Sequence, residues 1–110
     1  MMRLKIYDVA LGIVKAIGGL LPLVQRQDPD LARQMRRAST SIVLNLGEGV
    51  HSRGRNQAAR FQDAMASARE TTSCLEVCIA LSYLESKELE RLLDQLDRVV
   101  ATTWKLVHRR

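Results

Sequence analysis

Aromatic side chains are nearly missing from this sequence. One Trp, one Phe and two Tyr make up 4% of it, so a core must be built from Leu, Ile, Val, Ala and Met, as helix-on-helix packing prefers. The same shortage leaves no aromatic-rich strand surface of the kind on which single-strand-binding domains stack bases. Two prolines and six glycines leave little room for long loops. Two cysteines cannot supply a structural zinc site, which needs four ligands. Cys74 and Cys78 stand four apart in an apolar helical pattern, which puts both on one face but in poor geometry for a mutual disulfide, so they read as free, reduced thiols. Long apolar runs are also lacking, because Asp8 and Lys15 interrupt the first apolar stretch before it reaches the eighteen or so residues of a membrane span. That stretch has no small-x-small cleavage site, so neither export nor a membrane is expected, and a cytoplasmic location is.

What is present is charge and helical periodicity. The 110 residues carry a formal charge of +5, which favours anionic partners. The excess is uneven: residues 1–60 hold ten Lys or Arg against four acids (+6), and residues 61–110 hold seven against eight (−1). Arg53, Arg55, Arg60 and His51 fall in a stretch from Gly49 to Gln62 that has no acid at all. A chain of this length forms one domain, 1–110, and buries roughly two-thirds of its unfolded surface without needing a staple.

The spacing predicts four helices. Ile6, Val9, Ile13, Ile17, Leu20 and Val24 mark the first, over 5–24, with Gly18-Gly19 suggesting close backbone approach or a bend. Asp28-Pro29-Asp30 is a start signal for the second, with Asp28 as cap and Pro29 at the first helical position, and Gly49 is its expected end. In this helix Leu31, Met35, Ala38, Ile42, Asn45 and Gly49 share a stripe, which would turn the Asn45 amide toward the core. The third helix, from about Asn56 to Leu84, shows a heptad seam at Ala58, Phe61, Met65, Ala68, Thr72, Leu75, Ile79 and Ser82. The fourth is capped by Ser86 and seamed by Leu89, Leu92, Leu96, Val99, Thr103 and Leu106. Short connections make neighbours antiparallel, so the fold class is all-α, an up-down-up-down four-helix bundle.

Candidate chemistry is sparse. Glu48-Gly49-Val50-His51 has the Glu-x-x-His spacing of di-iron bundles, but such a site needs a second copy, and His108 follows Lys105 rather than a carboxylate. Ser39, Thr40 and Ser41 have no histidine beside them and no nucleophile elbow. No catalytic residue, cofactor or metal is expected. Asn45, Glu48 and Arg53 are expected to form one polar cluster at a bundle end, where a buried amide or carboxylate would find its hydrogen-bond partners. Trp104 lies beside the fourth seam and reads as an edge-of-core residue or an intersubunit anchor.

Gln34, Arg36-Arg37-Ala38, Ser41-Ile42, Asn45-Leu46-Gly47-Glu48-Gly49 and Arg53, followed by Phe61 and Ala68, carry a resemblance to the bacterial four-helix bundle proteins, or 23S rRNA intervening-sequence proteins. It extends from about Tyr7-Asp8 to about Leu84. The resemblance implies a short bundle that assembles as a ring, typically a pentamer, and a distant relative of the family is a nucleic-acid-binding accessory of diversity-generating retroelements. Where relatives tend to show Ala-x-Gly-Ser and then Glu-Leu, this chain has Ala68-Arg69-Glu70-Thr71 and then Cys74-Leu75, so no role of that carboxylate carries over.

Two functions fit. The first is a non-enzymatic homo-oligomer that binds RNA or DNA with little sequence specificity through Arg33, Arg36, Arg37, Arg53, Arg55 and Arg60. The second is an oligomeric scaffold or adaptor that binds another protein.

Overall fold

The computed structural model describes residues 4–108, and among these the chain forms α1 (Lys5–Gln27), α2 (Pro29–Val50), α3 (Gly54–Ala80) and α4 (Ser86–Val107). α1 packs on α2, α2 on α3, α3 on α4, and α4 closes back on α1, giving an up-down-up-down bundle of 43 × 22 × 21 Å. The predicted stripes supply most of its core: Ile13 and Ile17 from α1, Met35 and Ile42 from α2, Leu75 from α3, and Leu89, Leu96 and Val99 from α4 are fully buried, and Leu46 of α2, which the predicted stripe left out, joins them. α1 is long and apolar enough to cross a membrane by length and composition alone. Its apolar stripe of Ile6, Ala10, Ile13, Ile17 and Val24 is buried within the bundle, while Lys15 at mid-helix is exposed.

The boundaries differ from expectation at four places. α1 continues three residues beyond Val24, through Gln25, Arg26 and Gln27, and closes where the Asp28 N–H donates to the Val24 carbonyl at 2.7 Å. A single residue, Asp28, then joins α1 to α2, and its Oδ1 accepts from the Leu31 N–H at 3.1 Å as the expected cap. α2 runs one residue past Gly49, to Val50.

The third difference corrects the heptad seam. α3 stops at Ala80 rather than Leu84, and Ser82 sits outside it with φ 62°. The Tyr83 N–H returns to the Cys78 carbonyl at 2.8 Å and the Ser82 N–H to the Ile79 carbonyl at 3.0 Å. This is the double hydrogen bond of a Schellman stop, with serine in the left-handed position that glycine usually takes. Leu84 is thereby folded back and buried. Helix α4 begins at Ser86, which is therefore its first residue and not its cap; Glu85 holds that position without a side-chain bond.

The glycines also divide unexpectedly. A Cβ at Gly18 or Gly19 would meet nothing within 4 Å, so no backbone approaches them within the chain. A Cβ at Gly49 would lie 2.5 Å from Cε1 of Phe61, so the close approach occurs there instead. Cys74 and Cys78 are buried free thiols, and the Cys78 Sγ lies 3.6 Å from the Met35 Sδ. Burial, then Cys74 and Asp28 nearby, pushes the Cys78 thiol up to about 11.

Candidate functional site

The structure does not bring Asn45, Glu48 and Arg53 together. At 100° per residue, the buried set of α2 includes Ala32, Ser39, Val43 and Leu46, and so centres near Met35 and Leu46. Asn45 lies about 90° from that centre, half-buried at the rim. Its Nδ2 donates to the carbonyl and the Oγ of Ser41, each at 3.0 Å, and Ser67 on α3 donates its hydroxyl to the same Ser41 Oγ at 2.9 Å. Glu48 and Arg53 are exposed and form no ion pair with each other. Main-chain groups hold the turn between them: the Ser52 hydroxyl donates to the Glu48 carbonyl at 2.8 Å, and Gln57 Nε2 donates to the Gly49 carbonyl at 2.9 Å.

Two surfaces result. The first is a groove of about 660 Å³ between α2 and α3, lined by Gln34, Arg37, Ala38, Thr40, Ser41, Leu44, Asn45, Ser67 and Glu70. Arg37 and Glu70 cancel in charge. The Asn45 Oδ1 is left as a free acceptor, since its amide nitrogen is engaged by Ser41. No histidine stands beside its hydroxyls, so they can bind but have no base to activate them. Leu44 is 67% exposed at its edge.

The second surface is one end of the bundle. Antiparallel topology collects there the start of α1, the α2–α3 turn, the start of α3 and the end of α4. It thus gathers Lys5, Arg53, Arg55 and Lys105, with Arg60 about two turns into α3, all exposed. Asp8 and Glu48 are the carboxylates in the terminal turns there. The opposite end is acidic, with Asp28, Asp30, Glu85 and Glu88 against Arg26, Arg33 and Lys87.

The start of α3 defies helix electrostatics. A helix N-terminus carries a partial positive charge and favours acids, yet the first turn of α3 has none, Arg53 takes the cap position and Arg55 follows at the second helical residue. Arg53 offers no side-chain acceptor, so the N–H groups at the start of α3 lack a side-chain cap. Those N–H groups and the two guanidiniums concentrate positive charge at this helix start.

The six predicted arginines divide accordingly. Arg53, Arg55 and Arg60 belong to the basic end. Arg36 and Arg37 lie about 20 Å further along α2, where Arg37 enters the groove. Arg33, at the acidic end, donates to Asp30 at 2.7 Å in an exposed ion pair. Lys5 and Lys105 do not stand out as site residues in the sequence, although the up-down topology alone places both beside the turn. Ser67 and Glu70 escape sequence reasoning too, because residues of α3 enter the groove only through its packing on α2. Trp104 is 50% exposed on α4. Glu48 and His51 are both exposed, and among the described residues no group of three His, Cys, Asp or Glu could hold a metal ion.

The family model described as 23S rRNA-intervening sequence protein matches residues 2–105. The fold is similar to the crystal structure of a protein of unknown function from the S23 ribosomal protein family of Bacteroides thetaiotaomicron, with TM-score 0.85 and 20% identity over 93% of this chain and 97% of that one. No curated protein matches.

Proposed function

The chain belongs to the 23S rRNA-intervening sequence protein family, and from that premise we propose that it is a non-enzymatic, cytoplasmic homo-oligomer whose basic end binds RNA or DNA with little sequence discrimination. The start of α3 carries this reading. Arg53 and Arg55 at an acid-free helix N-terminus oppose the helix dipole, a local cost that a bound phosphate reverses. Lys5, Arg60 and Lys105 extend the contact, and phosphate contacts of this kind position a strand without reading its bases. In the pentamer that the resemblance implies, +5 per chain becomes about +25 per ring, and several weak contacts act as one strong one.

The test is a mobility shift with RNA, duplex DNA and heparin on oligomer of measured mass, repeated across a salt series. Replacing Arg53, Arg55 and Arg60 together by glutamine weakens binding to all sequences alike and lowers the salt slope by about 0.7 to 0.9 for each phosphate no longer neutralised. A wild-type oligomer that binds none of the three at low salt would sink the reading.

A second reading rests on a separate observation. The groove beside Leu44 is neutral overall and rich in hydrogen-bonding groups, which suits a protein segment better than a polyanion, so an oligomeric scaffold or adaptor for another protein is the alternative.

A further inference from the structure

We infer that the basic end also holds a stacking platform for an unpaired nucleobase, formed by Trp104 in the last turn of α4 and His108 at its C-cap, so that the strand bound there is single-stranded or looped rather than duplex. This rests on the nucleic-acid reading above and narrows its ligand.

Trp104 is the only tryptophan of a chain poor in aromatics, yet half of its surface is left open instead of being used in the core. It is not a loose side chain. The His108 ring stacks on it with centroids 4.1 Å apart and planes 21° from parallel. The His108 Nδ1 lies 2.8 Å from the Trp104 carbonyl, and since a carbonyl only accepts, Nδ1 carries the hydrogen of that bond. The imidazole is therefore tied to the backbone one turn back and supports the indole as a two-ring stack.

The placement gives the stack its ligand. Trp104 lies in the last turn of α4, beside the exposed Lys105, at the end of the bundle where α3 begins with Arg53 and Arg55. α4 packs on α3, and neighbouring helix axes stand about 8–10 Å apart, so one short strand can reach both elements. An indole stacks on any base, which suits a site whose cations contact phosphates without reading sequence. A base inside a duplex is already stacked on its neighbours, and extruding it costs a few kcal/mol. Unpaired bases are therefore the better occupants.

Because Trp104 is the only tryptophan, its fluorescence reports on the site directly. The full-length oligomer is titrated with three probes of equal length: oligodeoxythymidine, the same backbone with abasic residues, and a DNA duplex. Oligodeoxythymidine is expected to bind and quench the emission, whereas the abasic strand and the duplex bind without quenching. Trp104→Ala is expected to weaken oligodeoxythymidine binding by about 5- to 150-fold and leave the abasic strand unaffected, and Trp104→Phe restores most of the loss. The inference is overturned, with nucleic-acid binding intact, if wild-type protein binds the thymidine and abasic strands equally and without quenching. It is equally overturned if Trp104→Ala lowers the oligomer mass in sedimentation, which would make the indole an intersubunit anchor. Absence of binding by all three probes at low salt removes the nucleic-acid reading itself.

Discussion

Alanine at Gly49 and alanine at Gly18 should move stability in opposite directions. Both residues lie within helices, where Gly→Ala ordinarily gains about 1 kcal/mol. At Gly18 nothing lies within 4 Å of the new Cβ, so that gain should appear undiminished. At Gly49 the new Cβ would lie 2.5, 2.7 and 3.2 Å from Cε1, Cδ1 and Cζ of Phe61, a ring that is only 4% exposed. The ring has to swing aside within a packed core, and overpacking of this kind costs about 1–3 kcal/mol. Near the end of α2 the propensity gain is at most about 1 kcal/mol, so the net effect is a loss of up to about 3 kcal/mol.

Thermal melts of the two variants and the parent, at equal concentration and with oligomer mass checked by sedimentation, measure this. At roughly 4 °C per kcal/mol for a chain of this size, the two midpoints should fall on opposite sides of the parent. Phe61→Leu supplies the control: with the ring gone, Gly49→Ala should cost nothing, giving a coupling of about 1 kcal/mol or more. If Gly49→Ala is as stabilising as Gly18→Ala, the seating of Phe61 on Gly49 is wrong. If Gly18→Ala destabilises and lowers the oligomer mass, the outer face of α1 is covered by another subunit and is not open.

Other perturbations follow from the same geometry. Ser82→Gly should raise stability by about 1 kcal/mol in a denaturant titration, since serine at φ 62° bears the left-handed cost that glycine escapes. Asn45→Ala should cost about 1 kcal/mol, and a double-mutant cycle with Ser67→Ala should show coupling through Ser41, whereas no coupling would mean the Ser41–Ser67 bond does not form in solution. Stability should fall between pH 9 and pH 11: the unfolded Cys78 thiol ionises near 9 while the folded one keeps its proton to about 11, so the unfolded state gains about 3 kcal/mol across that window, a slope that Cys78→Ala should reduce but not abolish, because burial and then Glu70 push the Cys74 thiol up as well. Arg55→Glu should raise the melting midpoint, by placing an acid in the first turn of α3, while weakening nucleic-acid binding in the mobility shift; a drop in both would mean Arg55 supports the fold.

The sequence carries the helices more clearly than the site. Apolar residues three and four apart dominate all four segments, and Asp28-Pro29 marks a helix start by chemistry that acts within four residues, so these features are readable without the fold. The end of α3 is not, because its stop uses Ser82 in a conformation for which glycine or asparagine is the usual signal. Asn45 departs from its expected place for a different reason. Ala38, Asn45 and Gly49 do share one side of α2, but Ser39, Val43 and Leu46 widen the buried face on the other side and turn Asn45 to its rim. Ser67, which shares the Ser41 hydroxyl with it, stands 26 residues from Ser41 on another helix, and no local pattern reports such a pairing.

Charge shows what the topology adds. Split along the chain, the excess belongs to residues 1–60; split in space, it belongs to one end of the bundle, and the two divisions select different residues. Arg33 belongs to the basic half of the chain but to the acidic end of the molecule, where Asp30 pairs with it. Lys105 belongs to the acidic half but stands at the basic end. Exposed charges more than about 8–10 Å apart are screened from one another at ordinary ionic strength, so a phosphate responds to the cations gathered around it and not to the sum over a segment. An up-down bundle of helices of similar length gathers charge by end. Lys5, Arg53, Arg55 and Lys105, from the start of α1, the α2–α3 turn, the start of α3 and the end of α4, therefore share one end, whereas Arg36, nearer to Arg53 in the chain than either lysine is, lies about 20 Å from that end along α2.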